Sequence, residues 1–309
     1  MNSGKVLLAA SLVVAGLVGC SRNRQDAILI ANEGDKAVKV DIEGAIAKYE
    51  EATRLDPENH HIWYKLALAH RKKEDWPKMA EALAGAIRGD EKNPDDGTFA
   101  SYHAERGYAL EQQAKKKALS YEEAKQPYSK CIELDPNYAD CYHQLGNVYL
   151  WTDDEQKALE FYTKAIQHNP EELRYYGPLA ELYLNLGYFA EAEQVLKEAK
   201  SFGKSGDRLL WGVHVLMSRV LQERNDLNGM VAELEAAKAV APSDGPEAVQ
   251  ILFSLGSTYA QLDPPRKQEA IEMLKGFSAR ACRGNKAEAY KVECETSRTL
   301  VTKLGGTLQ

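Results

Sequence analysis

The sequence has 309 residues, a formal net charge of −7 and 28% charged residues. An acidic chain lacks the basic face that a nucleic-acid partner needs, so we expect no nucleic acid among its partners. Beyond the N-terminal apolar run, the length suits one large domain or one array of repeats. No later segment is apolar for long enough to span a bilayer.

The N-terminus has the pattern of a secretory signal that ends at a cysteine. Lys5 precedes an apolar run from Val6 to Leu17, and Leu17-Val18-Gly19-Cys20 closes it. A positive start, a short apolar stretch and small residues before a cleavage point are typical of a signal peptide. The run is shorter than the roughly 20 residues that span a bilayer. A plain cleaved signal with an incidental cysteine is the alternative.

The Leu-x-Gly-Cys order resembles the lipobox of bacterial lipoproteins. The resemblance implies that residues 1–19 are removed, that the thiol of Cys20 carries lipid such as palmitate, and that residues 20–25 form a linker behind the anchor. Stable anchoring needs more than one acyl chain, as this family has. Ser21 stands where that family usually has Asp for inner-membrane retention. The resemblance therefore implies an outer-membrane protein that faces the periplasm.

Two adjacent segments repeat with a period of 34 residues. The first reads Tyr142-x2-Leu145-Gly146-x2-Tyr149, Ala158-x3-Tyr162-x2-Ala165 and Pro170, and the second reads Tyr176-x2-Leu179-Ala180-x2-Tyr183 and Ala192-x3-Leu196-x2-Ala199. This spacing predicts two helices per repeat. Small residues such as Gly146 and Ala158 let the two helices approach closely, and Pro170 ends the second helix.

This pattern resembles the tetratricopeptide repeat, and looser copies extend it over about residues 40–279. The resemblance implies an all-α fold, a right-handed superhelix of helix pairs, with about seven units over residues 26–284. A capping helix and tail over 285–309 would follow, with Asn285 as the cap of a helix over about 286–303. Because Glu33-Gly34-Asp35 falls where packing residues belong, the sequence does not predict a first helix for the first unit.

Four cysteines follow the lipidated one: Cys131, Cys141, Cys282 and Cys294. An even number in an oxidising compartment suggests disulfides, and three pairings are possible. Pro136 lies midway between the first two, so antiparallel helices that reverse there would bring both to the same height. The Gly284-Asn285 turn lies between the last two. We therefore expect the two local pairs, although packing alone would also explain a small residue at the first position.

Catalytic motifs are missing from the sequence. Gly203-Lys204-Ser205 resembles the end of a phosphate loop, but Glu198 stands where its first glycine is needed. His60 and His61 are adjacent, and adjacent side chains diverge on a helix, so they cannot chelate one metal together. Carboxylates are plentiful, and most fall on predicted exposed faces. We expect no enzyme, no metal site and no cofactor other than the covalent lipid.

The remaining functional feature is the concave surface that stacked helix pairs form. First-helix residues that point away from the packing positions would line it. We expect a partner-binding groove from the following residues: Tyr64, Tyr108, His143, Asn147, Leu150 and Trp151. Binding energy concentrates at exposed Tyr and Trp, so Trp151 is the first candidate for a partner contact. The alternative is that its ring packs over the adjacent loop.

Similar lipoproteins include the pilotins of type IV pilus secretins, accessory subunits of the barrel-assembly machinery and components of gliding-motility complexes. The resemblance implies a scaffold that binds another envelope protein or complex and contacts the membrane through its lipid anchor. Two alternatives stay open. A small-ligand-binding lipoprotein would need a closed apolar pocket, and an envelope enzyme would need a cleft with paired titratable groups.

Overall fold

The computed structural model describes residues 22–92, 99–204, 206–243 and 245–308. Cys20, the predicted lipidation site, lies outside these ranges. Within them the chain is helical and contains no strand, which confirms the predicted all-α fold. The helices are α1 (22–37), α2 (Ile42–Leu55), α3 (His60–Lys72), α4 (Trp76–Lys92), α5 (Ala100–Lys115), α6 (Glu122–Leu134), α7 (Ala139–Trp151), α8 (Glu155–His168), α9 (Tyr176–Asn185), α10 (Phe189–Phe202), α11 (Leu210–Glu223), α12 (Leu227–Val240), α13 (Pro246–Gln261), α14 (Lys267–Ala281) and α15 (Lys291–Lys303).

The helices belong to two compact units, divided between Phe161 and Tyr162. Within each unit, helices joined by short turns pack as pairs, for example α3 with α4 and α13 with α14. The first helices of successive pairs also touch, since α5 contacts α7, α9 contacts α11, and α13 contacts α15. Each unit therefore presents one face that is built from first helices, which we call the first-helix face.

Small residues set the distance between paired helices. A Cβ atom added to Gly107 on α5 would lie 2.6 Å from the Tyr128 ring on α6. A Cβ atom added to Gly256 on α13 would lie 2.6 Å from Leu274 Cγ on α14. Heavy atoms cannot approach this closely, so only glycine permits the observed packing at these points.

The first unit of the array has both of its helices, which settles a point that the sequence left open. Residues 22–37 form α1, so residues 22–25 of the predicted linker 20–25 are helical. A Cβ atom on Gly34 would lie 2.7 Å from Tyr49 Cε1, and the Tyr49 hydroxyl donates a hydrogen bond to Asp35 Oδ1 at 2.8 Å. Gly34 and Asp35, which depart from the packing pattern of the sequence, are thus the residues that pack α1 against α2.

The last helix begins at Lys291 rather than near residue 286. Gly284–Lys286 forms a short 3-10 turn instead, and Asn285 lies inside this turn rather than at the start of α15. Gly284 has φ 60°, a left-handed conformation that favours glycine. From Lys291 onward, α15 packs against α13 and α14 and buries Val301.

Both local disulfides are present. Cys131 on α6 is bonded to Cys141 on α7 across a Cα separation of 6.4 Å, and both residues are fully buried. Cys282 after α14 is bonded to Cys294 on α15 across a Cα separation of 5.7 Å. Each bond joins the end of one helix pair to the helix that follows it.

We expect Gly34→Ala to lower the free energy of unfolding by about 1–3 kcal/mol, because its methyl group overlaps the Tyr49 ring and forces repacking. Gly212→Ala on α11 is the matched control, since nothing lies within 4 Å of an added Cβ there. Removing that helical glycine should stabilise the protein by about 0.5–1 kcal/mol. Urea denaturation measures both changes, and a Gly34→Ala variant as stable as the parent would contradict the α1–α2 packing.

We expect the double variant Cys131→Ala/Cys141→Ala to lose about 3 kcal/mol of stability, the chain-entropy value for a loop of roughly ten residues. The sequence separation of the two cysteines is 10. Denaturation with and without reductant measures the effect. Peptide mapping of the non-reduced protein should return both local pairs, and free thiols at all four positions would contradict the fold described above.

Candidate protein-binding site

The first-helix face of the N-terminal unit carries a cluster of tyrosines around one ion pair. The cluster consists of Tyr64 and Arg71 on α3, Glu105 and Tyr108 on α5, and Tyr138 directly before α7. We call these five residues the tyrosine patch. All of them are at least partly exposed to solvent. The patch thus spans three neighbouring first helices.

An ion pair links α3 to α5 at the centre of the patch. Arg71 Nη1 donates hydrogen bonds to Glu105 Oε1 at 2.7 Å and to Glu105 Oε2 at 2.9 Å. The guanidinium carbon lies 5.1 Å from the centroid of the Tyr108 ring, within the range of a cation–π contact. The Tyr64 ring lies 5.0 Å from the ring of buried Tyr102. These contacts fix the side chains of the patch before any partner arrives.

Burial dominates the electrostatics of the patch. It raises the pKa of the Glu105 carboxyl, and the nearby Arg71 offsets only part of this effect. Burial also raises the pKa of Tyr64, and the negative charge of Glu105 raises it further. Burial, Asp140 and Glu105 raise the pKa of Tyr138. Both tyrosines are therefore neutral at pH 7 and keep hydroxyl groups that donate and accept hydrogen bonds.

The predicted groove residues take different positions. Tyr64 and Tyr108 lie in the tyrosine patch. Asn147 and Leu150 on α7 are partly exposed, and Asn147 Nδ2 donates to Gln144 Oε1 at 2.8 Å. His143 was expected on the groove surface but is only 9% exposed, so it packs within the unit and offers little area to a partner.

Trp151 packs over the connection between α5 and α6. Its ring centroid lies 4.7 Å from that of Tyr121, and Lys115 Nζ lies 5.0 Å from the indole centroid. Lys115 also donates to Glu111 Oε1 at 2.6 Å, and Tyr128 donates to Glu111 Oε2 at 3.0 Å. Glu111 is only 2% exposed. Trp151 therefore contacts a network that neutralises a buried carboxylate, which favours the packing alternative.

Sequence reasoning did not predict the burial of Glu111 or the ion pair of Arg71 with Glu105. The four-residue spacing of Glu111 to Lys115 gave no sign of burial. Arg71 and Glu105 are 34 residues apart, which is one repeat period. A search for opposite charges at that separation would have found the pair, because equivalent positions of adjacent repeats lie side by side.

The rings of His60 and His61 lie close together, with their centroids 4.0 Å apart, although the sequence predicted that the two side chains diverge. His60 is 6% exposed, and its Nδ1 lies 3.0 Å from the Tyr102 hydroxyl, whereas His61 is exposed. Within the described ranges, no group of three or more His, Cys, Asp or Glu residues has the arrangement of a metal site. No helix in the same ranges combines the length and apolarity needed to cross a membrane.

We expect Trp151→Ala to lower the free energy of unfolding by about 1–2 kcal/mol, because it removes an aromatic contact and a cation–π contact. Trp151→Phe, which keeps a ring against Tyr121, is the control and should lose less. Circular-dichroism melting compares the two variants with the parent. An alanine variant with the parental melting temperature would contradict the packing role and restore Trp151 to the groove.

The helices form consecutive pairs, and tyrosines surround an ion pair on the first-helix face. These features define a helical-repeat scaffold. Family models described as TPR repeat or tetratricopeptide repeat match residues 41–73, 139–172 and 173–202. The last two matches coincide with the two segments of 34-residue period. These parts of the chain therefore carry tetratricopeptide repeats, and such repeats form scaffolds for protein–protein interaction.

Curated relatives share parts of this array. The mitochondrial import receptor subunit TOM70 of Homo sapiens is 26% identical over 187 residues, which are 59% of this chain and 29% of that protein. The Hsp70-Hsp90 organizing protein 2 of Arabidopsis thaliana is 28% identical over 189 residues, covering 52% of this chain and 32% of that protein. The chain thus spans about a third or less of the length of these relatives.

Solved structures share the fold. The C-terminal part of a TPR repeat-containing protein from Cytophaga hutchinsonii superposes with a TM-score of 0.62 at 14% identity, covering 84% of this chain and 98% of that chain. The pilF protein of Pseudomonas aeruginosa superposes with a TM-score of 0.55 at 18% identity, covering 79% of this chain and 100% of that chain. At these identities the likeness concerns the fold alone.

Proposed function

We propose that this protein is a lipid-anchored scaffold of the bacterial outer membrane that faces the periplasm and binds another envelope protein or complex. The contact surface is the first-helix face, which the repeat pattern predicts to be concave. The observation that carries the proposal is the tyrosine patch, where three tyrosines surround the pair of Arg71 with Glu105 at the surface. Tyr and Arg are the residue types at which binding energy concentrates in protein interfaces.

The geometry of the patch suits a peptide segment. Tyr64, Tyr108 and Tyr138 offer apolar ring surface that loses little conformational entropy on binding, because each side chain has only two χ angles. Their hydroxyl groups can hydrogen-bond to the backbone of a bound segment. The hydrogen bonds from Arg71 Nη1 to both carboxylate oxygens of Glu105 already hold the charged centre in place, so less ordering cost remains on association.

The lipid anchor would keep this surface near the membrane. Cys20 lies outside the described residues, but Ala27, seven positions later in the sequence, is fully buried in the N-terminal unit. Seven residues span at most roughly 25 Å even when fully extended. A protein tethered so closely meets membrane-bound partners at high effective concentration, which strengthens weak contacts.

The finer proposal is that the partner belongs to an outer-membrane machine such as a type IV pilus secretin or a motility complex. The combination of a lipobox with 34-residue repeats, which resembles the pilotins, supports it. The likeness to pilF agrees with this proposal at the level of the fold.

The anchor is tested by Cys20→Ala. We expect the variant to be released from membranes or to remain unprocessed, because the acyl chains alone hold the mature protein at the surface. Cys20→Ser, which also cannot form the thioether, should behave in the same way. Fractionation with mass spectrometry of the N-terminus measures the outcome. Normal processing and undiminished membrane association of the alanine variant would contradict the lipid anchor.

The binding surface is tested by Tyr108→Ala. We expect at least a fivefold weaker association with the protein recovered from envelope extracts, the loss of about 1 kcal/mol that marks an interface residue. Tyr188→Ala on the C-terminal unit is the control, because Tyr188 is 50% exposed and lies outside the patch. A binding titration with both variants, after circular dichroism has shown intact folding, measures the difference. Equal affinity of Tyr108→Ala and the parent would contradict the role of the patch.

A further inference from the structure

A separate pocket lies on the first-helix face of the C-terminal unit. It is a cavity of about 350 Å³ at the N-terminal ends of α11, α13 and α15. Four aromatic residues and two acidic residues are among those that line it: Trp211, Phe253, Phe277, Tyr290, Glu247 and Glu293. We call it the acidic aromatic pocket. The volume is in the lower part of the range for ligand pockets, which fits one long side chain together with part of its backbone.

Three of the aromatic rings, those of Phe253, Phe277 and Tyr290, contact one another in series. Phe277 is 1% exposed and forms the floor. Its ring centroid lies 5.1 Å from that of Phe253 and 6.0 Å from that of Tyr290. Trp211, Phe253 and Tyr290 are partly exposed at the cavity. Aromatic surfaces arranged around a cavity attract cations through the negative potential of their ring faces.

The two carboxylates give the pocket its charge. Glu247 and Glu293 have neither a salt bridge nor a side-chain hydrogen bond within the part of the chain that the structure describes. The described lining residues include no lysine or arginine. Each glutamate lies in the first turn of its helix, and its full negative charge exceeds the roughly half positive charge of a helix N-terminus.

The wall that carries Tyr290 and Glu293 is held firmly in place. The disulfide between Cys282 and Cys294 joins the end of α14 to α15, one residue after Glu293. The backbone of Tyr290 donates to the Lys286 carbonyl at 3.2 Å and accepts from the Cys294 amide at 2.8 Å. The pocket therefore does not need to be assembled by its ligand, which lowers the ordering cost of binding.

We infer that this pocket binds a lysine or arginine side chain of a protein partner. The aromatic residues contact the aliphatic stem and the cationic head, and the two glutamates supply the opposite charge. The inference rests on the proposed role as a protein-binding scaffold, but it concerns a different unit from the tyrosine patch. It adds a chemical requirement for the partner, which is a basic residue on the segment that reaches the C-terminal unit.

Synthetic peptides test the inference without the envelope partner. The full chain is titrated with acetylated, amidated Gly-Lys-Gly and Gly-Arg-Gly, and with the norleucine analogue as the uncharged control. Amide chemical shifts of residues 247–253 and 290–293 report occupancy. We expect saturable shifts with at least one basic peptide, at least tenfold weaker binding of the norleucine peptide, and weakening by 0.5 M salt.

Variants assign the binding to the pocket. We expect Glu247→Gln/Glu293→Gln to bind the basic peptides at least tenfold more weakly, and Trp211→Leu to bind them more weakly with an unchanged circular-dichroism spectrum. Glu295→Gln is the matched control, because Glu295 is an exposed glutamate on α15 outside the lining. It should bind like the parent.

Three results would overturn the inference. These are the lack of shifts with either basic peptide, equal binding of the norleucine peptide, and unchanged binding by the double glutamine variant. Tetramethylammonium chloride distinguishes a free small cation from a peptide side chain, and tighter binding of this salt than of both peptides would also overturn it. A failed envelope pull-down with successful peptide titrations would count against the proposed envelope partner and not against the pocket.

Discussion

In four of the helix pairs of the described residues, a glycine that faces a large side chain on the partner helix fixes how closely the two helices pack. On the N-terminal unit, the Tyr49 ring lies over Gly34, the Trp63 ring over Gly85 and the Tyr128 ring over Gly107, each closer than a Cβ atom would allow. Because these contacts bury the inner faces of both helices, the first helices of successive pairs come to adjoin one another. Their outer faces remain accessible, and both the tyrosine patch and the acidic aromatic pocket lie there.

Two glutamates, buried Glu111 and partly buried Glu233, pair with opposite charges. Glu111 accepts hydrogen bonds from Lys115 and Tyr128 next to the longer connection between α5 and α6. On the C-terminal unit, Glu233 pairs with Lys200 Nζ at 2.6 Å and with His214 Nδ1 at 2.6 Å. Burial raises the pKa of Glu233, but these partners outweigh it and the net pKa is lowered. Its stabilising contribution is therefore present above the unfolded pKa and is lost as the pH falls through the lower folded value.

Helical periodicity and small residues at fixed spacing predicted the repeat, and the resemblance that they carry implied the all-α fold. The turns at Pro136 and Gly284-Asn285 predicted the local cysteine pairs. These features depend on contacts within one repeat or its turn. The structure differs where the contact is tertiary. Gly34 falls where the pattern calls for a packing side chain, yet the Tyr49 ring on α2 packs directly against it. His143 has the spacing of a surface residue but is buried. The acidic aromatic pocket could not be predicted, because Trp211 and Glu293 are brought together only by the stacking of α11, α13 and α15.

Hydrogen–deuterium exchange can show whether a partner binds the first-helix face. The protein would be compared alone and in complex with the protein recovered from envelope extracts, with peptides resolved for each helix. We expect slower exchange in α3 and α5, beneath the tyrosine patch, with little change in the second helices α2 and α4. Protection confined to α2 and α4, with unchanged exchange in α3 and α5, would contradict binding at this face.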